Sequence, residues 1–421
     1  MAKKKVLKDG ELPDVMELMS TVDDKTEILA ESQNAVIEDW ISTGNYLLNA
    51  CISGSILKGI PSGKITCYYG QSGSGKSFLS CATCSQAIKK GYTILYLDSE
   101  GSITKEFIER IAGKGTSKHV LIRPVETITE VTQICTNLLN KLAEEKEEYG
   151  KCHKMMIVLD SLGNLSDDSE LESAEKGENK ANLQKNKLIK NFYRIVTPKC
   201  NNCQVPFITI SHAYQSMSMF SPGNIISGGT GIQYNASVML ELFPSKLIDK
   251  ENDEAASKGK GSENNVKNGI TVTAKCSKNR FARPKKISVS IPFYKALNPY
   301  LGLEQYMTWE NSGVCRGSML TEKEYEKLGG ESSTVHSWEF NGEKLYCQQK
   351  DTARGIVVRH LGKQVPFTEF FTSAVFTDEI LKKLDDEVIR PEFELPSQDS
   401  FEDINDFEDI IDVGSEVEVD D

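Results

Sequence analysis

Eight consecutive residues, Gly70-Gln71-Ser72-Gly73-Ser74-Gly75-Lys76-Ser77, have the types and spacing of a phosphate-binding loop. Its glycines permit tight turns that aim backbone N–H groups at phosphate oxygens, and the following helix adds its positive end. In such a loop Lys76 reaches the β- and γ-phosphates of ATP, and the Ser77 hydroxyl ligates Mg²⁺. Asp160 closes the apolar run Met155-Met156-Ile157-Val158-Leu159. It therefore falls at the carboxyl edge of a buried strand, where α/β proteins bind ligands. A carboxylate there can hold the Mg²⁺ water shell; a helix N-cap is the competing reading. Glu100 stands just past Leu97-Asp98-Ser99, at the same edge. There it can orient a water for attack on the γ-phosphate, the alternative being a solvated loop charge.

These groups need a scaffold that brings strand ends together. Ile65 to Tyr69 reads as a strand running into the loop, and Ser77 to Lys90 as a helix stopped by Gly91. Tyr92 to Leu97, Met155 to Leu159 and Val205 to Ile210 read as buried strands, separated by helices at Ile128 to Glu147 and Leu183 to Thr197. Ser237 to Phe243, Gly269 to Cys276 and Ile287 to Ile291 read as further strands. Between the first two of these, Ser245 to Asn268 is Lys/Glu/Asn/Gly/Ser-rich and reads as a flexible insertion. The alternation predicts an α/β core with a mostly parallel sheet and helices on both faces. We divide the chain into an N-terminal arm or oligomerisation segment (1–39), an ATPase core (40–300), a small C-terminal subdomain (301–390) and an acidic disordered tail (391–421).

Of the 421 residues 39% are hydrophobic and 26% charged, ordinary values for a soluble globular chain. No apolar run approaches membrane-spanning length, and no apolar segment follows the basic start, Met1 to Lys5. Both features predict a cytoplasmic protein with no membrane partner. The eleven cysteines, an odd number, suit reduced thiols. Cys81/Cys84 and Cys200/Cys203 lack the further ligands that a closed zinc site needs, and read as structural. Eleven acidic residues lie between Ser397 and Asp421, with no Lys or Arg among them. They account for all but one unit of the formal charge of −12, so the body is nearly neutral and open to a polyanion. The tail either competes with nucleic acid for basic surface or serves solubility.

At this point a resemblance becomes specific. Ser42-Thr43-Gly44, Leu48-Asn49, Gly59-Ile60-Pro61-Ser62-Gly63-Lys64, the phosphate loop, Asp98-Ser99-Glu100 and Val158 to Asn164 together resemble a RecA-type recombinase core. Ile210-Ser211-His212-Ala213-Tyr214, Met219-Phe220, Gly228-Gly229-Thr230-Gly231 and Tyr234 resemble the UvsX-like branch of large tailed phages. The likeness covers roughly residues 40 to 300.

The resemblance implies roles. Lys76 and Ser77 take phosphate and Mg²⁺, Asp160 the metal, and Glu100 the activation of water. Phe107 falls where an aromatic ring packs on adenine, although a core aromatic on the helix Lys105 to Ile111 reads equally well. His212 takes the place of a γ-phosphate sensor. Ala213 to Tyr234 corresponds to the second DNA-binding loop. In it Tyr214, Met217, Met219 and Phe220 stack on or wedge between bases, while Gly228, Gly229, Thr230 and Gly231 let the backbone approach phosphates. The first DNA-binding loop falls within Asn164 to Lys180, a markedly acidic segment. Lys278 and Arg280 resemble a basic pair that completes a neighbour's ATP site across a filament interface; a DNA-backbone contact or surface turn is the alternative.

The implied activity is ATP-dependent pairing and strand exchange by a homo-oligomeric helical filament on single-stranded DNA, acting on homologous duplex DNA. A mediator and a single-strand-binding protein stand among the partners such a filament uses, in the host cytoplasm if the gene is a phage's. Two rivals share the core: a hexameric helicase motor, and a non-catalytic ATP-switched DNA-binding paralogue.

Overall fold

A computed structural model describes Val15 and residues 36–175, 184–215, 224–227, 229–249, 267–350 and 355–395. The chain divides into two units, Met1–Glu38 and Asp39–Asp421. Of the first, only Val15 and residues 36–38 are described, so the expected arm lies outside the described residues, as does the acidic stretch from 397 onward.

The second unit opens with a short antiparallel pair, β1 (Trp40–Ile41) and β2 (Ile60–Pro61), on either side of helix α1 (Tyr46–Ser53). Asn45 caps α1 by accepting from the Leu48 N–H, and Gly54, at φ +82°, ends it. Then come β3 (Ile65–Gly70), α2 (Lys76–Lys89), β4 (Thr93–Asp98), α3 (Lys105–Ala112), β5 (Val120–Pro124), α4 (Ile128–Tyr149) and β6 (Met155–Asp160). Helices α5 (Asp168–Glu175) and α6 (Gln184–Asn202) lead to β7 (Phe207–Gln215), which turns back as β8 (Asn224–Ile226). Helix α7 (Thr230–Asn235) precedes β9 (Val238–Asp249), β10 (Lys267–Asn279) and β11 (Lys286–Pro292).

Eight strands lie in the order β11-β10-β9-β3-β7-β6-β4-β5, with β8 beside β7. From β9 to β5 every neighbour is parallel, and β10 and β11 extend the sheet antiparallel. The expected mostly parallel sheet is therefore the one found. Side chains alternate between its faces, and both faces are covered. On one face Tyr68, Tyr96, Val158 and Ile208 pack with Phe78 and Leu79 of α2. On the other, Cys67, Leu97, Ile157 and Phe207 meet Ile128 and Leu139 of α4 and Phe192 and Tyr193 of α6. Truncating an aromatic buried this way costs roughly 3–5 kcal/mol, so the strand positions are firmly held.

The sequence reading is also changed at β5 and at the insertion before β10. Strand β5 was not expected; its residues are largely exposed, and it forms one edge of the sheet. The supposed insertion is shorter at both ends, because β9 runs to Asp249 and β10 begins at Lys267, in one antiparallel hairpin.

Beyond the core, Val314–Leu320, Val335–Phe340, Glu343–Gln349, Ile356–Val358 and Lys363–Val365 form a small antiparallel sheet. The chain then returns to the core. Asp385, fully buried, accepts from Ser55 Oγ (2.7 Å), the Ile56 N–H (2.7 Å) and Arg390 Nε (3.0 Å). Phe393 is buried, and its carbonyl accepts from the Arg283 N–H at 2.7 Å.

Candidate active site

The phosphate loop leaves β3 at Gly70, whose neighbours in register are His212 on β7 and Leu242 on β9. A Cβ at Gly70 would lie 2.3 Å from the Leu242 carbonyl oxygen, so no side chain fits. Gly75, at φ +85°, turns the chain into α2, and a Cβ there would strike Ile291 Cδ1 at 2.3 Å. Lys76 is buried, and its Nζ donates to the loop's own carbonyls, Gly70 O at 3.1 Å and Gln71 O at 2.8 Å. Burial pushes this ammonium below its ordinary pKa, partly offset by the charges of Asp160 and Glu100. The Ser74 hydroxyl is buried in the loop without a hydrogen-bond partner. A glycine cradle, a buried cation and an unpaired hydroxyl fit an anion with several oxygens.

Strands β4 and β6 are neighbours, with Asp98 opposite Asp160. The two strand ends are laced together by Ser99. Its N–H donates to Asp160 O, its hydroxyl donates to Ser161 O, and its Oγ accepts from the Ser161 N–H, each at 2.8 Å. Asp160 is buried and takes a hydrogen bond from Tyr96 Oη at 2.7 Å. Burial raises its carboxyl above the ordinary pKa, countered by the hydroxyls of Tyr96 and Ser77, while Glu100 and Asp98 add to the rise. The Ser77 hydroxyl and Asp160 carboxylate form a pair of hard oxygen donors beside the loop, a set that suits Mg²⁺.

Asp98 itself shapes the loop that carries Glu100. Its carboxylate accepts the N–H groups of Glu100 (3.0 Å), Gly101 (2.9 Å) and Ile103 (3.2 Å). That fixes Glu100 over the end of the sheet, where Oε1 lies 2.8 Å from Nε2 of His212. Burial pushes the Glu100 carboxyl up. The Ser161 hydroxyl, the His212 ring and the charges of His212 and Lys76 outweigh that and hold it below the ordinary carboxylate value.

One cavity of about 480 Å³ joins Lys76, Ser77, Glu100, Asp160, His212 and Phe107. The structure thus brings together residues spread over more than a hundred positions of the chain. Phe107 is half-buried on α3, with the Arg110 guanidinium over its ring at 5.3 Å. Arg110, Ile270, Ile291, Phe293 and Tyr294 also line the cavity. None of the five carries a motif: Ile270 and Ile291 lie within expected strands, Phe293 and Tyr294 follow one, and Arg110 shares a helix turn with Phe107.

Lys278 and Arg280 do not reach this cavity. Lys278 pairs with Met239 and Asn279 with Val238, which lie opposite Cys67 and Thr66 at the far end of β3. Thr66 is four residues from Gly70, about 13 Å along a strand. Lys278 Nζ donates instead to the last carbonyls of α7, Gln233 O (2.6 Å) and Tyr234 O (3.1 Å), while Arg280 is exposed. Burial lowers the Lys278 ammonium's pKa, and Arg280 lowers it further.

Past His212 the described residues form the base of a hairpin, with Ala213 opposite Ile226 and Tyr214 opposite Ile225. Tyr214 is 60% exposed and Ile225 58%. Gly229, at φ +67°, precedes Thr230, the first residue of α7. Gly231 is buried against α6, where a Cβ would meet Ile189 Cγ2 and Lys190 N at 3.1 Å, a tight approach between the two helices. Met217, Met219, Phe220 and Gly228 lie outside the described residues, as does part of the expected first DNA-binding loop.

A phosphate loop between β3 and α2, with acidic residues on the two strands beyond it, defines a P-loop nucleotide-binding fold of the RecA type. The family described as RecA N-terminal domain matches residues 21–296, and the chain belongs to that family. It is 26% identical over 269 residues to the "Recombination and repair protein" of Enterobacteria phage T4, covering 63% of this chain and 62% of that protein. It is 28% identical over 241 residues to "Protein RecA" of Mannheimia haemolytica, covering 57% and 59%. The chain thus spans about six tenths of the length of these curated relatives. Among the described residues no helix is long and apolar enough to cross a membrane.

Proposed function

We propose that the protein is an ATP-dependent homologous recombinase. In this reading ATP-bound subunits assemble into a helical filament on single-stranded DNA, pair it with a homologous duplex and exchange strands. The observation that carries the reading is the contact between Glu100 and His212. It joins the carboxylate facing the phosphate loop to the strand that carries the exposed Tyr214.

ATP would lie with its phosphates on the Gly70–Ser77 loop, its base toward Phe107 and Tyr294. Lys76 would exchange the loop carbonyls for β- and γ-phosphate oxygens. Ser77 and Asp160 would hold Mg²⁺, which supplies charge neutralisation on those oxygens. Glu100, held ionised, accepts a proton from the attacking water. His212 orients that carboxylate and donates to it or to a phosphate oxygen as the site fills. Lys278 and Arg280 face away from their own site, which supports their acting on a neighbour's ATP, where two cations stabilise charge on the γ-phosphate.

Tyr214 and Ile225 offer a pair of exposed apolar side chains to bases, and Ile225 joins the residues read from sequence. Lys187, Lys190 and Arg194 form an exposed basic stripe on α6, suited to the phosphate backbone. The open edge at β5, with Leu121 and Ile122 exposed, supports contact with a second copy of the chain. Electron microscopy with single-stranded DNA and a non-hydrolysable ATP analogue tests the assembly. Long helical filaments are expected; closed rings would favour the helicase motor instead.

A further inference from the structure

Tyr96 lies on β4, two residues before Asp98, and is fully buried among the core side chains of its face. A phenol in that position must find a partner for its O–H. It finds Asp160 Oδ2, at 2.7 Å. The Ser80 hydroxyl on α2 lies 3.5 Å from the same phenol oxygen and donates to the Ser77 carbonyl at 2.9 Å. Tyr96 therefore hydrogen-bonds the end of β6 while its phenol oxygen lies against the start of α2, the helix that carries Ser77. Neither the phosphate loop nor the two carboxylates accounts for it.

We propose that Tyr96 is a positioning residue for the divalent cation: its hydrogen bond fixes one oxygen of Asp160 and so presents the other to the metal's water shell beside Ser77. The inference rests on Ser77 and Asp160 holding that cation. A carboxylate buried this deeply has no solvent to hold its rotamer, so its orientation is set by the donors around it. The phenol is a neutral donor to an ionised acceptor, the kind of bond that is short and strong. It also leaves the charge on the carboxylate, which a cationic partner would have cancelled.

The test is Tyr96→Phe, which keeps the ring and its packing and removes only the O–H. Binding of a fluorescent non-hydrolysable ATP analogue is titrated with Mg²⁺, and again in EDTA. Loss of a hydrogen bond to a charged acceptor should raise the half-saturating Mg²⁺ concentration about ten-fold. Affinity in EDTA should stay at the wild-type value, which also reports an intact loop. An unchanged Mg²⁺ dependence, or loss of binding in EDTA as well, would mean that Tyr96 only supports the fold and would overturn the proposal. Asp160→Asn separates the two layers of the inference. If it abolishes the Mg²⁺ dependence while Y96F does not, the role of Tyr96 alone fails. If it too leaves the dependence intact, the metal assignment of Asp160 fails.

Discussion

Nε2 of His212 lies 2.8 Å from Oε1 of Glu100, so a residue of β7, the strand that runs on into the hairpin, touches a carboxylate of the phosphate-loop cavity. His212 also pairs in register with Gly70, so β7 joins the hairpin base to both Glu100 and the phosphate loop. In the proposed function, coupling of DNA binding to hydrolysis would use a link of this kind.

Glu100→Gln removes the base and keeps the side chain's shape. Hydrolysis should fall by about 10²-fold or more, with ATP binding preserved. Rates close to wild type, measured by phosphate release in the presence of single-stranded DNA, would remove Glu100 from the mechanism.

The same contact predicts a pH effect. The Glu100 carboxyl is held below its ordinary pKa, so it stays ionised as pH falls through the usual carboxylate range. Hydrolysis should be retained there and lost only as pH falls through the lowered value. His212→Ala withdraws one cause of the lowering, so the acid limb of the rate profile should move to higher pH. A limb that stays in place would show that the ring does not act on Glu100.

Much of this site was legible because it is local in sequence. The phosphate loop, the apolar run before Asp160 and the strand before Glu100 each declare themselves within ten residues, and the sheet brings them to one edge. What escaped depends on contacts between distant segments. Asp98 reads as an ordinary motif residue until its three backbone partners are seen, and Phe293 and Tyr294 line the cavity only because β11 lies two strands from β9. Strand β5 escaped for another reason: its apolar run is only three residues, Val120 to Ile122, and stops at Arg123-Pro124. Gly231 carries a second constraint that its motif did not show, its close approach to Ile189 and Lys190 on α6.

The sheet register sets Lys278 and Arg280 at the end of the sheet opposite their own phosphate loop. Subunits carrying Lys278→Ala and Arg280→Ala should hydrolyse poorly alone, as should Glu100→Gln subunits. Mixed filaments contain interfaces where one chain supplies Glu100 and its neighbour the basic pair. Hydrolysis should therefore recover on mixing, to about a quarter of wild type if the subunits assemble at random. No recovery would place the pair's role within one subunit.

Asp385 joins the returning C-terminal segment to the turn after α1 through two donors, the Ser55 hydroxyl and the Ile56 N–H, and accepts a third bond from the Arg390 guanidinium of its own segment. Asp385→Ala leaves those donors without their acceptor in a buried place. The folded state should lose roughly 3 kcal/mol, read as a lower midpoint in denaturant or heat. A midpoint unchanged from wild type would mean that the segment is held by its apolar contacts alone.

The central claim, that the ATP site drives DNA strand exchange, is tested most directly with a circular single strand and a homologous linear duplex. With ATP, Mg²⁺ and any mediator the filament requires, the account predicts joint molecules that depend on homology and disappear in Lys76→Ala. Failure to form joint molecules under those conditions, while ATP hydrolysis proceeds, would contradict it.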